Sequence, residues 1–271
     1  MSTHTLNVPD GHLAYAREGS GPPIVLLHGG ALDHHLWDPQ VPALAPRFTV
    51  VRPDLRGHGR SSTPTTPFRH CDDVAALIRQ IDLGPAIVVG LSLGAGTATD
   101  LALEHPGLVG RLVLSGAGGD SAPQFRDPWL VATVAEWNRA AEAADAEAWV
   151  DVFLRIGAGP HRTPADLDPA VVDYLRRTAM QTVIDHVRPD AVAPTALPGA
   201  IDRLAEIDVP VRSIDGELDA ADHLRLPREV TTAVTDGAST TVPDSAHYPN
   251  LERPDHFNET LLAFGLSTAP E

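Results

Sequence analysis

Five short apolar runs, separated by stretches of helical periodicity, constrain this 271-residue chain more than any other feature. They are PIVLLH at 23–28, FTVV at 48–51, AIVV at 86–89, LVL at 112–114 and VPVRSI at 209–214. A strand apolar at nearly every position is covered on both faces, as in a parallel sheet, and not on one face only. Residues 72–81, 97–103 and 226–234 carry the helical spacing between the runs. The alternation predicts a doubly wound α/β sheet with helices on both faces. Ahead of it, residues 5–8 and 12–16 predict a β-hairpin turning at Pro9-Asp10-Gly11.

Residues 120–208 break this rhythm. The segment is Ala-rich, holds Trp129, Trp137 and Trp149, and shows no convincing strand. Val134 and Trp137, then Trp149, Val152 and Phe153, fall at amphipathic-helix intervals. Thr163-Pro164-Ala165-Asp166 predicts a capped helix running on through Val172 and Leu175. An all-helical excursion between two strands predicts an insertion seated over one edge of the sheet.

The chemistry concentrates in Gly90-Leu91-Ser92-Leu93-Gly94, directly after one apolar run and before a helical stretch. G-x-S-x-G in a strand–turn–helix setting presents a serine on a turn too sharp for side chains two residues to either side. A serine hydroxyl needs a base to become a nucleophile. His247, in the loop after residues 239–242, stands ahead of the other 12 histidines by position. The imidazole in turn needs an acid to orient it, and Asp219, just past the run at 209–214, is favoured over Asp215, Glu217 and Asp244. Two backbone N–H groups should receive the developing oxyanion. Leu93 follows the serine, and Gly30 lies in His28-Gly29-Gly30 after the first apolar run.

These segments, with Trp37-Asp38-Pro39-Gln40 and the loop DLRGHGRSS at 54–62, resemble the α/β-hydrolase superfamily over about residues 12–262. Within it the chain is similar to the 3-oxoadipate enol-lactonase and small carboxylesterase branch. Dehalogenases and epoxide hydrolases place an aspartate where Ser92 stands, and C–C hydrolases carry a Gly-Pro-Gly-Ala type segment where Ala31-Leu32-Asp33-His34 stands here. The resemblance implies a core of residues 1–119 and 209–271 and a helical cap of residues 120–208. It implies hydrolysis of an ester or lactone through Ser92, Asp219 and His247, with Gly30 and Leu93 as oxyanion donors and no cofactor. Non-hydrolytic acyl transfer, cyclisation or perhydrolysis by the same residues, and a receptor that keeps only the fold, are the alternatives. Candidates for contact with substrate are Gly29, Trp37, Trp129, Trp137, Trp149 and Tyr248.

Composition narrows the partners. With 36 acidic and 20 basic residues, all of the latter arginine, the formal net charge is −16. Such a surface repels phosphate backbones and anionic membranes. One cysteine, Cys71, excludes an intramolecular disulfide and a cysteine zinc cluster. The 13 histidines show no H-E-x-x-H helix, and the adjacent pair His34-His35 is expected to point apart, so no metal site is predicted. No secretory signal and no apolar stretch of membrane-spanning length is visible, which predicts a cytoplasmic protein acting on a small molecule. Nothing in the sequence specifies an oligomeric state.

Overall fold

A computed structural model describes residues 3–119 and 123–267 of the chain. The expected start of the helical excursion, Asp120, lies outside the described residues. Eight strands form one sheet: β1 (Thr3–Val8), β2 (Gly11–Glu18), β3 (Pro23–Leu27), β4 (Thr49–Pro53), β5 (Ala86–Leu91), β6 (Val109–Ser115), β7 (Val211–Gly216) and β8 (Gly237–Val242), in the order β1-β2-β4-β3-β5-β6-β7-β8. Among the described residues, antiparallel pairing is confined to the hairpin strand β2, with β1 on one side and β4 on the other. The rest of the sheet is parallel. The hairpin turns on Pro9-Asp10 with Val8 opposite Gly11, and the Asp10 carboxylate accepts the Thr65 and Thr66 amides at 2.9 Å.

The apolar runs alternate between two cores. Val25, Leu27, Val88, Leu112 and Leu114 face the side covered by α2 (His70–Ile81), α3 (Leu93–Glu104) and α7 (Ala221–Ala233). Ile24, Leu26, Val89, Leu91 and Val113 face the side covered by the short α1 (Val41–Leu44), α8 (Pro249–Glu252) and α9 (Pro254–Leu266). Both faces of each central strand are therefore removed from water, which is why these strands carry no polar alternation.

Among the described residues, three α-helices lie between β6 and β7: α4 (Pro128–Glu142), α5 (Ala146–Ala158) and α6 (Pro169–His186). Asp127, Asp145 and Asp168 cap them, each accepting a backbone N–H of the first turn. The helix expected to run on from Thr163 is divided. Its capping box forms, yet it closes only a 3₁₀ turn at Pro164–Asp166. Leu167 is extended, and Pro169 pushes Asp168 out of helical conformation before α6 starts afresh. Val150, Phe153, Leu154, Leu175 and Ala179 join the core under α8 and α9, so α5 and α6 share packing with the sheet. No helix among the described residues is long and apolar enough to cross a membrane.

Candidate active site

Gly29, Gly30, Ser92 and Leu93 follow the carboxyl ends of β3 and β5, where the strand order reverses, and Asp219 and His247 follow those of β7 and β8. Open α/β sheets form their ligand crevice at such a point. Ser92 joins β5 to α3 with φ 54° and ψ −114°, a conformation L-residues rarely adopt. The turn is held from both sides. An added Cβ at Gly90 would sit 2.2 Å from the Gly94 carbonyl oxygen, and one at Gly94 would sit 2.2 Å from that of Leu27. Only glycine admits this approach of β5, α3 and β3. The Ser92 amide donates to the Ser115 carbonyl at 2.9 Å, tying the turn to the end of β6. Ser92 is partly exposed.

Gly116, next along β6, bridges to the other two residues. A Cβ added there would lie 2.9 Å from His247 Cε1 and Nδ1 and 3.5 Å from Asp219 Oδ2. His247 Nδ1 donates to Asp219 Oδ2 at 2.8 Å, and both residues are buried. Asp215 has a different partner, the Gly116 amide at 3.0 Å. Glu217 points outward to the Asp244 amide. An ionised carboxylate only accepts, so His247 keeps its proton on Nδ1 and Nε2 is left unprotonated in the neutral ring. Burial would raise the Asp219 carboxyl, but the His223 and His247 imidazoles hold it far below the usual carboxylate range. Burial lowers the His247 imidazole from its ordinary value; Asp219 opposes the shift and His223 adds to it.

Leu93 is the first residue of α3, so its N–H has no intrahelical acceptor and the helix dipole points positive there. Gly30 lies against it, within 3.9 Å of the Leu93 Cβ as measured from an added Cβ, and Gly29 lies similarly 3.5 Å from the Ser92 Cβ. The 28–34 loop is braced from below. His28 Nδ1 donates to the Gly29 carbonyl and its Nε2 accepts from the Leu55 amide. His34 donates to Asp54 through both backbone N (2.8 Å) and Nδ1 (2.7 Å). From above, α6 docks on the same loop, with Thr182 Oγ1 donating to the Ala31 carbonyl at 3.0 Å and the Tyr174 hydroxyl to Asp33 Oδ1 at 3.2 Å. The His247 loop is held likewise. Its amide donates to the Gly157 carbonyl of α5, and the neighbouring Ala246 amide to Glu252.

The aromatic candidates divide. Trp137 meets Trp149 at 4.8 Å between ring centroids, Trp149 stacks on Phe153 at 6.0 Å, Phe153 meets Tyr248 at 6.4 Å, and Tyr248 meets His247 at 5.1 Å. This series runs from the inserted helices to His247. Trp37 is outside it. It is 0% exposed and packs against Phe257, so it presents no surface to a ligand. Its apolar neighbours beneath the 3₁₀ segment His34–Gln40 explain the burial. Trp129 heads α4, half-buried, and shares no ring contact with the series. A cavity of about 460 Å3 reaches Leu93 between His58, Phe68 and His70 on one side and Thr182 and His186 on the other. Burial holds the imidazoles of His58 and His70 low, the latter at about 3, so both enter it uncharged.

One sequence expectation about histidine needs correction. The rings of His34 and His35 lie 4.1 Å apart, His34 bonded to Asp54 and His35 to Asp38. His223, singled out by no motif, donates from Nδ1 to Asp219 Oδ1 at 2.8 Å. The i, i+4 spacing of Asp219 and His223 at the start of α7 was the available signal. Ligand-type atoms of Asp219, His223 and His247 lie within 4.8 Å of one another. Both Nδ1 atoms are protonated donors to the carboxylate, so the three groups are satisfied by each other. Cys71 is buried, and burial pushes its thiol up to about 12, away from nucleophilic use.

Residues 22–254 match the model of the alpha/beta hydrolase fold family. Over 109 residues the chain is 39% identical to an uncharacterized protein of Mycobacterium tuberculosis; that match covers 39% of this chain and 32% of the relative, so it spans about a third of its length. Over 268 residues it is 31% identical to the same organism's BpoC, named as a candidate non-heme bromoperoxidase, covering 93% of this chain and 97% of that one. Among solved structures, the enol-lactonase of Burkholderia xenovorans LB400 superposes with a TM-score of 0.75 at 26% identity, over 97% of this chain and 100% of that chain. The chain belongs to the alpha/beta hydrolase fold family.

Proposed function

We propose that the chain is a serine hydrolase that cleaves a small-molecule carboxylic ester or lactone through an acyl-enzyme on Ser92, acting in the cytoplasm without a cofactor. The observation that carries this reading is the buried His247–Asp219 pair, held against Gly116 while Ser92 stands at positive φ on the adjoining turn. His247 Nε2 takes the Ser92 proton as the hydroxyl attacks the carbonyl carbon. The Leu93 and Gly30 N–H groups receive the oxyanion, each worth about 2.7–4 kcal/mol of transition-state stabilisation. Asp219 orients the imidazole and stabilises its cation. His247 returns the proton to the leaving alkoxide, then deprotonates the water that releases the acid. Residues 120–208 serve as a cap over this site, with Trp137, Trp149 and Tyr248 as an apolar wall and the cavity beside Leu93 receiving one arm of the substrate. The enol-lactonase neighbour supports a lactone or ester substrate.

Intact-protein mass spectrometry after fluorophosphonate treatment tests the proposal. Wild type should gain one adduct that maps to Ser92, and Ser92→Ala should gain none. Absence of an adduct in folded wild-type protein would overturn it in favour of a receptor-like role. A second reading draws on the resemblance to BpoC: hydrogen peroxide in place of water would attack the acyl carbonyl and release a peracid. Bromide oxidation that requires both peroxide and a carboxylic acid, and is lost in Ser92→Ala, would distinguish it.

A further inference from the structure

Asp219 holds two imidazoles, and the hydrolytic sequence above uses only one. Its Oδ2 accepts from His247 and its Oδ1 from His223, both at 2.8 Å, with the Ala220 amide also on Oδ1 at 2.7 Å. The two rings lie 4.2 Å apart at 32°, and both residues are buried. Neither oxygen can turn without losing a partner, so His223 fixes the rotamer in which Asp219 faces His247.

The surroundings of the two rings differ in charge. His223 faces Asp222 from its own helix, Asp219 from the turn just before it and Asp127 from the segment before α4, while the Phe125 ring closes over it edge-on at 6.1 Å. Arg225, the nearby cation, is engaged with Asp222 and Glu229. His247 faces Asp219, His223 and Glu252, and the apolar ring of Tyr248. Asp215 adds negative charge near Asp219 when ionised. A proton added to this cluster is therefore better placed on His223 than on His247. Burial alone would lower the His223 imidazole, but the three carboxylates keep it above its ordinary value.

We propose that His223 is a positioning residue of this site, one that locks the Asp219 carboxylate and, by carrying the cluster's first proton, keeps His247 a neutral base into mildly acidic solution. The inference rests on the proposed role of His247 as the base for Ser92. Removing the positive charge beside His247 should make His247 easier to protonate, so activity should disappear at higher pH.

The test is the pH dependence of Ser92 labelling by a fluorophosphonate, from pH 4.5 to 8.5, in wild type, His223→Gln and His223→Phe. Gln keeps a donor for Oδ1 without the charge; Phe keeps the ring volume without either. In both variants the acid limb should move up by about one pH unit, making labelling near pH 5 roughly tenfold slower than wild type. At high pH, Gln should retain more of the rate than Phe. An acid limb that stays in place in both variants, with only the overall rate or thermal stability reduced, would overturn the proposal. The downfield Nδ1–H proton resonances of the two histidines provide a readout that needs no turnover. Titration of His247 displaced by His223→Gln supports the coupling, and an unmoved titration refutes it. Failure of wild type to label at any pH would instead count against the hydrolase reading.

Discussion

Asp215 offers a sharp test of the electrostatics under the site. It lies one residue before the end of β7, is 3% exposed, and accepts the Gly116 amide. Burial pushes its carboxyl from 3.8 up to about 7, against the pull of the Ser213 hydroxyl and the Gly116 N–H and with Asp219 adding repulsion. In the unfolded chain the same carboxyl titrates at its ordinary value. Because the folded value is raised, the group's contribution is fully present below about pH 4 and is lost as the pH rises through about 7. The gap between 3.8 and about 7 corresponds to about 4 kcal/mol of differential stability at its limit. Asp215→Asn keeps an oxygen for Gly116 and cannot ionise. Urea unfolding of both proteins at pH 4, 5.5, 7 and 8.5 gives the difference in stability at each pH, in which any constant packing penalty cancels. The variant should gain on wild type by about 2–4 kcal/mol between the first and last points. Parallel stability curves across this range would refute the argument and show that Asp215 is ionised at no cost in the fold.

Other perturbations reach different parts of the molecule. Arg56→Ala strips the buried Asp73 of its two guanidinium bonds, at 2.6 and 2.9 Å, and should cost about 3–5 kcal/mol in urea unfolding. Gly116→Ala places a methyl 2.9 Å from the His247 ring at φ +64°, so Ser92 labelling should slow at least about tenfold, with an unfolding penalty of only about 1–3 kcal/mol. Trp149→Ala removes the ring stacked on Phe153. Steady-state kinetics on aryl esters should show KM rising severalfold, with kcat within about twofold.

What could be read in advance was whatever local chemistry dictates. Continuous apolar runs located β3 to β7, five of the six parallel strands, because both faces of each are covered, and the glycines of residues 90–94 marked the turn because nothing larger fits it. Boundaries were less legible. α7 begins at Ala221 and carries Pro227 within it, a proline that reads as a helix start near 226. The roles of Trp37 and His223 depend on tertiary neighbours. Trp37 owes its burial to Phe257, which arrives from α9 at the far end of the chain. His223 acquires meaning only because the loop after β8 delivers His247 to the same carboxylate. Spacing within a single element cannot convey either fact.

The placement of the inserted helices between β6 and β7 has a consequence for biogenesis. β3, β4, β5 and β6, with the turn at Ser92, are complete once the chain has been synthesised to Ser115. Yet β6 must wait for Val211 before it gains its neighbour β7, and Asp219 and His247 emerge later still. Closing so long a gap adds little free energy, since each doubling of loop length costs only about 0.6 kcal/mol, but such distant pairing forms slowly. A nascent chain therefore displays its serine well before it holds a base. On the proposed assignment of roles, hydrolytic competence becomes the last property of the molecule to mature, and a product truncated ahead of β8 would carry the serine turn in an inert form.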